Sequence, residues 1–302
     1  MAMVLLRVLE SRFQADLWCQ ALDVEGIPHR LRSYQDTAYD GLFVSQKGFA
    51  SLYVEEADLP RAQELDQGLM GQTVARFQDP ALLARHLDHT LLDPAAGQAD
   101  LERHLQECLE MKAAAACICP WMVSLAAPVL AGSAVALCTV VGFPTGSHTA
   151  GAKLAEAQEL AGLGATELDV VVNRGLIASG RSGQAVEEVA AIASALPACQ
   201  VKVILECAAL GPEAAQDLAR RFVNSPVAYL KTGSGYFGAA TVADVQILRA
   251  SAPGLKVKAA GGIRDLSQSL ALLGAGAERL GTSGGHAIWL EARRLWSESK
   301  TS

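Results

Sequence analysis

From residue 80 onward, short apolar segments of strand type alternate regularly with longer segments of helical period. The apolar segments number eight, at residues 87–90, 115–119, 134–141, 167–172, 200–206, 228–232, 256–260 and 279–282. Strands that alternate with helices form parallel sheets, and eight such units in roughly 220 residues suit a closed (β/α)8 barrel. The pattern therefore predicts an α/β fold of the TIM-barrel type.

Helices are predicted in the intervals between these strands, where apolar residues recur with a period near 3.6. They lie at residues 100–112, 150–162, 184–195, 212–222, 241–250, 266–273 and 288–298, with one more helix inside 120–132. An open doubly wound sheet is the alternative architecture, but no Gly-x-Gly-x-x-Gly turn follows its first strand. We therefore favour the barrel.

The first 72 residues follow a different order of elements. Strands are predicted at 2–9 and 28–34, short hairpin segments at 42–44 and 51–54, and helices at 11–24 and 59–69. This order predicts a small α+β accessory domain over residues 1–72, joined by a linker at 71–79 to a barrel domain at 80–302. In pattern and length the accessory domain resembles the ferredoxin-like signal-transducing domains attached to some bacterial proteins. Ligand binding and a role in packing or oligomerisation are both open for it.

The overall charge and hydropathy pattern argue against two classes of partner. The net charge is -7, from 25 basic and 32 acidic residues, and no basic cluster suits a nucleic-acid backbone. No segment is apolar over the ~18 residues that a membrane span needs. No basic segment followed by an apolar segment and a cleavage site opens the sequence, so we do not expect a secretory signal. We therefore expect neither nucleic acid nor a membrane as a partner.

The seven cysteines show no framework of paired spacings. An odd number without such a framework is typical of reduced thiols, so we expect a cytoplasmic protein. Only Cys117 and Cys119 lie close together, and no second Cys or His pair stands at the spacing of a zinc site. Metal binding is therefore not expected.

Polar side chains lie on, or directly after, the predicted barrel strands. They are Asp88 with His89, Asp169, Glu206, Lys231, Lys258 and Ser283. Active sites of such barrels lie at the carboxyl ends of the strands, so we expect these side chains to converge on one mouth of the barrel.

Lys231 carries the predicted chemistry. It stands where an apolar strand ends and a turn with Gly233 and Gly235 begins. Enclosure by apolar walls, or a second cation nearby, leaves a fraction of a lysine as the free amine that attacks carbonyl carbons. Lys258 is the candidate second cation and Asp169 the candidate proton carrier. The alternative interpretation is a structural ion pair between Asp169 and either lysine.

Glycine-rich turns follow three of the polar strand ends and indicate an anion-binding site. Turns without side chains let a ligand approach the backbone N–H groups, and barrel enzymes often hold phosphate at the loops after the last two strands. The turns contain Gly233 with Gly235, Gly261 with Gly262, and Gly281 with Ser283.

Six short runs resemble, in the same order, those of the deoxyribose-phosphate aldolase family, over roughly residues 80 to 290. Any one run would be a weak signal, whereas six in order are a strong one. The runs are Leu-Asp-His-Thr-Leu-Leu-Asp-Pro (87–94), Cys-Ile-Cys-Pro (117–120), Glu-Leu-Asp-Val-Val (167–171), Val-Lys-Val-Ile-Leu-Glu (201–206), Leu-Lys-Thr-Gly-Ser-Gly (230–235) and Lys-Ala-Ala-Gly-Gly-Ile-Arg (258–264).

The resemblance implies a class I, Schiff-base aldolase. In that family the lysine matching Lys231 forms the Schiff base, the lysine matching Lys258 favours its uncharged form, and the aspartate matching Asp169 relays protons. The implied reaction is the reversible cleavage of 2-deoxy-D-ribose 5-phosphate to acetaldehyde and D-glyceraldehyde 3-phosphate, with no metal and no organic cofactor. The implied partner is a small aldehyde or sugar phosphate. Whether the chain forms a homo-oligomer is left open.

A second group of residues is expected to bind the substrate or to support the catalytic residues. Cys117 matches a family cysteine, and we expect a buried thiol there rather than a nucleophile. The group consists of Asp88, Cys117, Thr232, Gly235, Tyr236, Gly261, Gly262, Arg264, Gly281, Ser283 and Gly284.

Two departures from the family pattern bear on the substrate. Tyr236 stands where the family commonly has a second lysine that meets the phosphate, and Ser283 is followed by Gly284 where paired serines are common. A phenol donates one neutral hydrogen bond where a lysine supplies a charge, so phosphate affinity should fall unless Arg264 supplies the charge. A non-phosphorylated or differently substituted aldehyde is therefore an alternative substrate. A non-catalytic, ligand-binding barrel is a further alternative.

Overall fold

A computed structural model describes residues 2–9, 18–19, 22–23, 25–33, 50–66 and 80–299. The chain divides into two compact units, Met1–Gln78 and Asp79–Ser302. The linker predicted at residues 71–79 lies outside the described residues. No helix within the described ranges is long and apolar enough to cross a membrane.

The first unit contains a three-stranded antiparallel sheet. Its strands are β1 (Met3–Leu9), β2 (His29–Ser33) and β3 (Ala50–Glu55), and β3 lies between the other two. The described residues agree with the predicted strands at 2–9, 28–34 and 51–54, whereas the segment predicted at 42–44 lies outside them. The ferredoxin-like assignment stays a prediction.

One face of this sheet contributes to a hydrophobic core. Alternate residues of β3, Ala50, Leu52 and Val54, have no solvent exposure, as the two-residue period of a strand requires. The same cluster includes Trp18, Leu22, Ile27 and Ala62, three of them in helical segments. The first unit therefore has a small core of its own.

The second unit is a closed barrel of eight parallel strands. The strands follow one another around the barrel in chain order, and the last pairs with the first to close it. The TIM-barrel prediction is therefore confirmed. The strands are β4 (Leu87–Leu91), β5 (Ala115–Ile118), β6 (Ala136–Val141), β7 (Glu167–Val171), β8 (Gln200–Ile204), β9 (Tyr229–Lys231), β10 (Lys256–Ala260) and β11 (Arg279–Thr282).

Helices precede, connect and follow the barrel strands. Each longer helix buries one apolar stripe, as Leu101, Leu105 and Cys108 do on the helix that follows β4. The helices are α1 (Pro80–Ala84), α2 (Gln98–Met111), α3 (Val123–Leu130), α4 (Ala150–Gly162), α5 (Arg174–Ala178), α6 (Ser182–Ala195), α7 (Cys207–Leu210), α8 (Pro212–Arg221), α9 (Val242–Ser251), α10 (Leu266–Gly274) and α11 (Gly285–Ser299).

The barrel interior has an apolar part and a charged part. On β5 and β6, the small side chains of Ala115, Cys117, Cys138 and Val140 form one cluster. Buried charges cost stability unless they are paired, so the charged part has to be compensated from within. Its buried members are Asp88 on β4, Glu167 and Asp169 on β7, Lys202 on β8, Lys231 on β9 and Lys258 on β10.

The strand predicted at residues 200–206 ends earlier than expected, at Ile204. Glu206 has φ 64° and ψ 55°, in the left-handed region that strand residues do not adopt. The adjacent N–H of Cys207 donates to the carbonyl oxygen of Thr232, so the chain turns toward the end of β9. The left-handed backbone at Glu206 turns the chain away from the strand direction, and this turn is the physical reason that the strand does not continue through residues 205–206.

Two histidines stack on the outer side of the barrel, between β4 and α2. The ring centroids of His89 and His104 lie 4.3 Å apart, and His89 Nε2 lies 2.8 Å from Glu107 Oε2. Burial lowers the pKa of His104 to about 3, and the neighbouring His89 acts in the same direction. His104 is therefore neutral in the folded protein at any pH above about 3.

Acid should destabilise the barrel through His104. The unfolded chain binds a proton at this residue below about pH 6.5, whereas the folded protein binds it only near pH 3, so stability falls as the pH falls through that window. Between pH 7 and pH 5 we expect His104 to cost about 2 kcal/mol of unfolding free energy. Denaturant unfolding of His104→Gln should show a smaller loss than the wild type. The exposed His148→Gln is the matched control, and equal losses in both variants would contradict the prediction.

Candidate active site

The three residues predicted to carry the chemistry meet inside the barrel. Lys231 is the last residue of β9, and it lies opposite Lys258 of β10 in the strand register. The Nζ atoms of Lys231 and Lys258 each lie 2.7 Å from the same oxygen, Oδ2 of Asp169. The two amines, which come from separate strands, therefore share one oxygen of the Asp169 carboxylate.

Lys231 connects this cluster to a cavity of about 580 Å³ at the barrel mouth. Lys231 borders the cavity, whereas Asp169 and Lys258 are fully buried and do not. A substrate carbonyl in the cavity would therefore meet the amine of Lys231, with the carboxylate of Asp169 behind it.

Lys202 belongs to the same cluster and was not among the predicted site residues. Its Nζ lies 3.0 Å from Asp169 Oδ1, 2.6 Å from Glu167 Oε2 and 3.4 Å from Cys138 Sγ. A signal for it exists in the sequence, because a lysine in the middle of the apolar run Val-Lys-Val-Ile has to be paired when the strand is buried. Asp169 thus has three ammonium partners.

The charges in this cluster stabilise one another. Burial alone would raise the pKa of Asp169, but the ammonium groups of Lys202, Lys231 and Lys258 hold this pKa well below its usual value. Burial alone would lower the pKa of Lys258, but Asp169 and Asp88 raise it above its usual value. At neutral pH, Asp169 is therefore ionised and Lys258 is a permanent cation.

Asp88 and Arg279 extend the cluster toward the amino ends of the strands. Asp88 Oδ2 lies 2.5 Å from Lys258 Nζ, and Asp88 Oδ1 accepts a hydrogen bond from Arg279. Burial would raise the pKa of Asp88, but Lys258, Lys202 and Arg279 lower it. Asp88 contacts Lys258 but does not border the cavity. It therefore acts on a substrate only through Lys258.

Thr232 and Cys117, two further predicted site residues, also lie away from the cavity. The Thr232 hydroxyl donates to the carbonyl oxygen of Ala260 and accepts the N–H of the same residue, at 3.1 and 3.0 Å, which joins the ends of β9 and β10. Cys117 is fully buried beside Cys138, whose thiol donates to Asp169 Oδ1 at 3.4 Å. Thr232 therefore links two strands and Cys117 packs in the barrel interior, and neither residue borders the cavity.

The glycine-rich segments line the cavity, and Gly281, in β11, packs against the side chain of Lys258. Gly261 has φ 108°, and a Cβ there would approach the carbonyl oxygen of Gly238 to 2.8 Å, so a larger residue would displace the loop. Arg264 and Ser283 are exposed at the rim, whereas Gly284 does not border the cavity and its N–H donates to Thr282 Oγ1. The predicted substrate-binding residues that border the cavity are Gly235, Tyr236, Gly261, Gly262, Arg264, Gly281 and Ser283.

The loop after β9 reaches across the mouth through two aromatic side chains. Tyr236, 58% exposed, meets Phe143 of the loop after β6 edge to face, with ring centroids 5.5 Å apart. The guanidinium of Arg174 lies 3.8 Å from the ring centroid of Phe237. A phenol and an aromatic contact thus stand at the position where the sequence resemblance implies a lysine.

Glu206 anchors the base of this loop. Its buried carboxylate accepts the backbone N–H of Ser234 at 3.0 Å. The left-handed turn at Glu206 directs the side chain to that N–H, and therefore the loop that contains Tyr236 starts from a defined position.

Three groups of side chains in the described part of the chain have the composition of a metal site. In two of them, Cys138 with Asp169 and Cys138 with Glu167, the carboxylates already contact Lys202. In the third, the nearly parallel rings of His89 and His104 prevent both from directing a nitrogen lone pair at one ion. The geometry of these groups favours ion pairs and stacking over metal coordination.

Known proteins resemble the barrel unit closely. A deoxyribose-phosphate aldolase of Thermosynechococcus vestitus is 46% identical over 202 residues, which cover 67% of this chain and 93% of that protein. A deoxyribose-phosphate aldolase of Picosynechococcus is 41% identical over 214 residues, which cover 70% of this chain and 93% of that protein.

Solved structures give the same result. The tetrameric deoxyribose phosphate aldolase of Aeropyrum pernix has a TM-score of 0.70 at 30% identity, with 75% of this chain and 97% of that chain covered. The aldolase QR15 has a TM-score of 0.67 at 32% identity, with 70% and 96% covered. The sequence profile of the DeoC/LacD family of aldolases matches residues 82–291, which contain every strand of the barrel and both Lys231 and Lys258. By sequence and by fold, the chain belongs to the DeoC/LacD family of aldolases.

Proposed function

We propose that this aldolase reversibly cleaves 2-deoxy-D-ribose 5-phosphate to acetaldehyde and D-glyceraldehyde 3-phosphate through a Schiff base at Lys231. The observation that carries the proposal is the position of Lys231. Its Nζ lies 2.7 Å from an Asp169 oxygen that Lys258 also contacts, and its side chain borders the cavity. The names of the relatives from Thermosynechococcus vestitus and Picosynechococcus support the choice of substrate.

The first step requires the uncharged amine of Lys231. When Lys231 gives up its proton, Asp169 keeps two ammonium partners, Lys202 and Lys258, so its negative charge stays compensated. The amine then adds to the C1 carbonyl carbon, and loss of water gives a protonated imine.

The second step breaks the C2–C3 bond. The C3 hydroxyl loses its proton, the electron pair of the C2–C3 bond moves to the iminium nitrogen, and an enamine and glyceraldehyde 3-phosphate result. Protonation of the enamine at C2 and addition of water release acetaldehyde and the amine. Asp169 is the proposed proton carrier, because it is the carboxylate beside Lys231.

The phosphate group is proposed to lie against the glycine-rich side of the cavity. Gly261 and Gly262 line the cavity there without side chains, and Arg264, which also lines it and is exposed, is the candidate for a charged partner. Tyr236 at the same rim supplies no charge, and this observation favours a non-phosphorylated acceptor as the second candidate substrate.

The Tyr236→Lys variant should bind phosphorylated substrate more tightly. A new ammonium at the rim attracts the phosphate, so we expect KM for 2-deoxyribose 5-phosphate to fall about tenfold, less at high salt, with kcat within about twofold. Steady-state kinetics on the phosphorylated and the free sugar measure this effect. Tyr236→Phe is the control for loss of the hydroxyl, and an equal change in KM for both sugars would refute a phosphate contact at this position.

Trapping of the imine tests the proposed function directly. The protein is incubated with acetaldehyde and sodium borohydride, digested, and analysed by mass spectrometry for an ethyl group on Lys231. Turnover of 2-deoxyribose 5-phosphate is measured in parallel from the released aldehydes. No adduct on Lys231 and no turnover, with bound ligand still detected, would support a non-catalytic barrel instead.

We further propose that the enzyme works in the cytoplasm and self-associates. The six cysteines of the barrel unit are all thiols, which suits a reducing compartment. The tetrameric Aeropyrum pernix relative supports self-association, which light scattering of the full chain measures.

A further inference from the structure

Six charged side chains, five of them buried and Arg279 partly buried, form a closed ring inside the barrel, with positive and negative charges in strict alternation. Asp88 bridges Arg279 and Lys258, Asp169 bridges Lys258 and Lys202, and Glu167 bridges Lys202 and Arg279 to close the ring. Apart from the contact of Arg279 with Asp88, the N···O distances in the ring run from 2.5 Å, for Lys258 and Asp88, to 3.0 Å, for Lys202 and Asp169. The ring has three charges of each sign and is neutral, and Lys231 joins it from outside through Asp169.

Each carboxylate in the ring uses a different oxygen for each of its two neighbours. Asp169 contacts Lys202 through Oδ1 and Lys258 through Oδ2, and Glu167 contacts Arg279 through Oε1 and Lys202 through Oε2. Two contacts, Lys258 with Asp88 and Lys202 with Glu167, are ion pairs outside hydrogen-bond geometry. A carboxylate held at both oxygens has no freedom to rotate, so the direction of Asp169 Oδ2 toward Lys231 depends on the contacts behind it.

Arg279 and Glu167 complete the ring at the end opposite the mouth. They are the first residues of β11 and β7, at the amino ends of those strands, and neither borders the cavity. The side chain of Arg279 is 12% exposed and that of Glu167 is 3% exposed. The planar guanidinium of Arg279 contacts two carboxylates through two separate nitrogens, Nη1 to Asp88 and Nη2 to Glu167, whereas the shorter side chain of a lysine would present one nitrogen at this position.

We propose that Arg279 and Glu167 are positioning residues of the aldolase reaction, which hold Asp88 and Lys202 and through them direct Asp169 and Lys258 at Lys231. This inference rests on the proposed Schiff-base function. Neither residue touches the substrate, so their loss should lower kcat and leave KM nearly unchanged.

The two single-charge variants give the decisive test. Arg279→Met and Glu167→Gln should each lower kcat about 10- to 100-fold, the range typical of partners that orient a functional group. Arg279→Met removes a positive charge from the ring and should move both limbs of the pH profile of kcat to higher pH. Glu167→Gln removes a negative charge and should move both limbs to lower pH. A role in stability alone predicts neither shift.

The neighbouring surface pair provides matched controls. Glu278, next to Arg279 in the chain, pairs with Arg249 at 3.5 Å, and both side chains are more than 40% exposed. Glu278→Gln and Arg249→Met should leave kcat within about twofold and both limbs of the pH profile in place. Because Arg279 and Glu167 act through one ring, the double variant should have a kcat no lower than that of the less active single variant.

The possible outcomes separate a positioning role of Arg279 and Glu167 from a role in stability and from failure of the proposed function. Wild-type protein that neither turns over substrate nor forms the Lys231 adduct defeats the proposed function. If the wild type is active, folded variants with kcat within twofold, or with unshifted pH profiles, overturn the positioning role. If Arg279→Met does not fold, Arg279→Lys keeps the charge but loses one contact and should lower kcat about tenfold. Loss of folding in Arg279→Lys and Glu167→Gln alike assigns the pair to stability and overturns the proposal as well.

Discussion

Replacement of Lys231 by arginine should lower kcat by a factor of about 10⁴ or more, because the proposed reaction proceeds through a covalent bond to this nitrogen. A guanidinium stays protonated and does not form a Schiff base, so the variant keeps a positive charge beside Asp169 and loses only the nucleophile. Borohydride trapping with acetaldehyde should then give no adduct at residue 231.

Lys256→Arg on the neighbouring strand is the matched control. Lys256 is exposed and pairs in register with Tyr229, two residues before Lys231, so its replacement should change neither kcat nor trapping at Lys231. Wild-type turnover in Lys231→Arg, or an adduct on another lysine of the variant, would end the proposed mechanism.

Replacement of Asp169 by asparagine should have the second largest effect. We expect kcat to fall about 10²- to 10⁴-fold, because the proposed proton carrier is lost. The free energy of unfolding should fall by about 3–5 kcal/mol, because the ammonium groups of Lys202 and Lys258 lose a buried partner. Steady-state kinetics and denaturant unfolding measure the two effects on the same preparation.

The exposed pair of Asp217 with Arg221 supplies the control for Asp169. Asp217→Asn removes a carboxylate of equal charge from the surface of α8, where water screens it, so the unfolding free energy should change by less than about 1 kcal/mol. A folded Asp169→Asn variant with unchanged kcat would contradict a proton-transfer role for Asp169. Asp169→Glu, which keeps the charge but displaces it, should lose activity with less loss of stability.

Much of the fold was predictable because the barrel has a local signature. The strands at residues 256–260 and 279–282 were predicted with the observed bounds, since each apolar run is short and flanked by turn residues. The strand at 200–206 was predicted too long, because hydrophobicity continues through Leu205 while the backbone at Glu206 turns left-handed. The hydrophobicity of a segment does not reveal its backbone dihedral angles, so the end of this strand was predicted wrongly.

The candidate site was predictable in part. Lys231, Lys258 and Asp169 were selected as polar residues on apolar strands, and the structure brings them into contact. The catalytic roles of these residues stay predictions until the variants are measured. Lys202 was missed although it stands in the same kind of apolar run.

What the sequence by itself determined is the set of elements: eight strands, the helices between them, and the placement of charged residues on strands that have to be buried. Only the tertiary structure decided which charges meet. Glu167 and Arg279 are 112 positions apart, and their contact exists because closure of the barrel places β11 beside β4 and across from β7. The strength of a buried ion pair depends on distances of a few ångströms across the barrel, and a linear chain does not contain those distances.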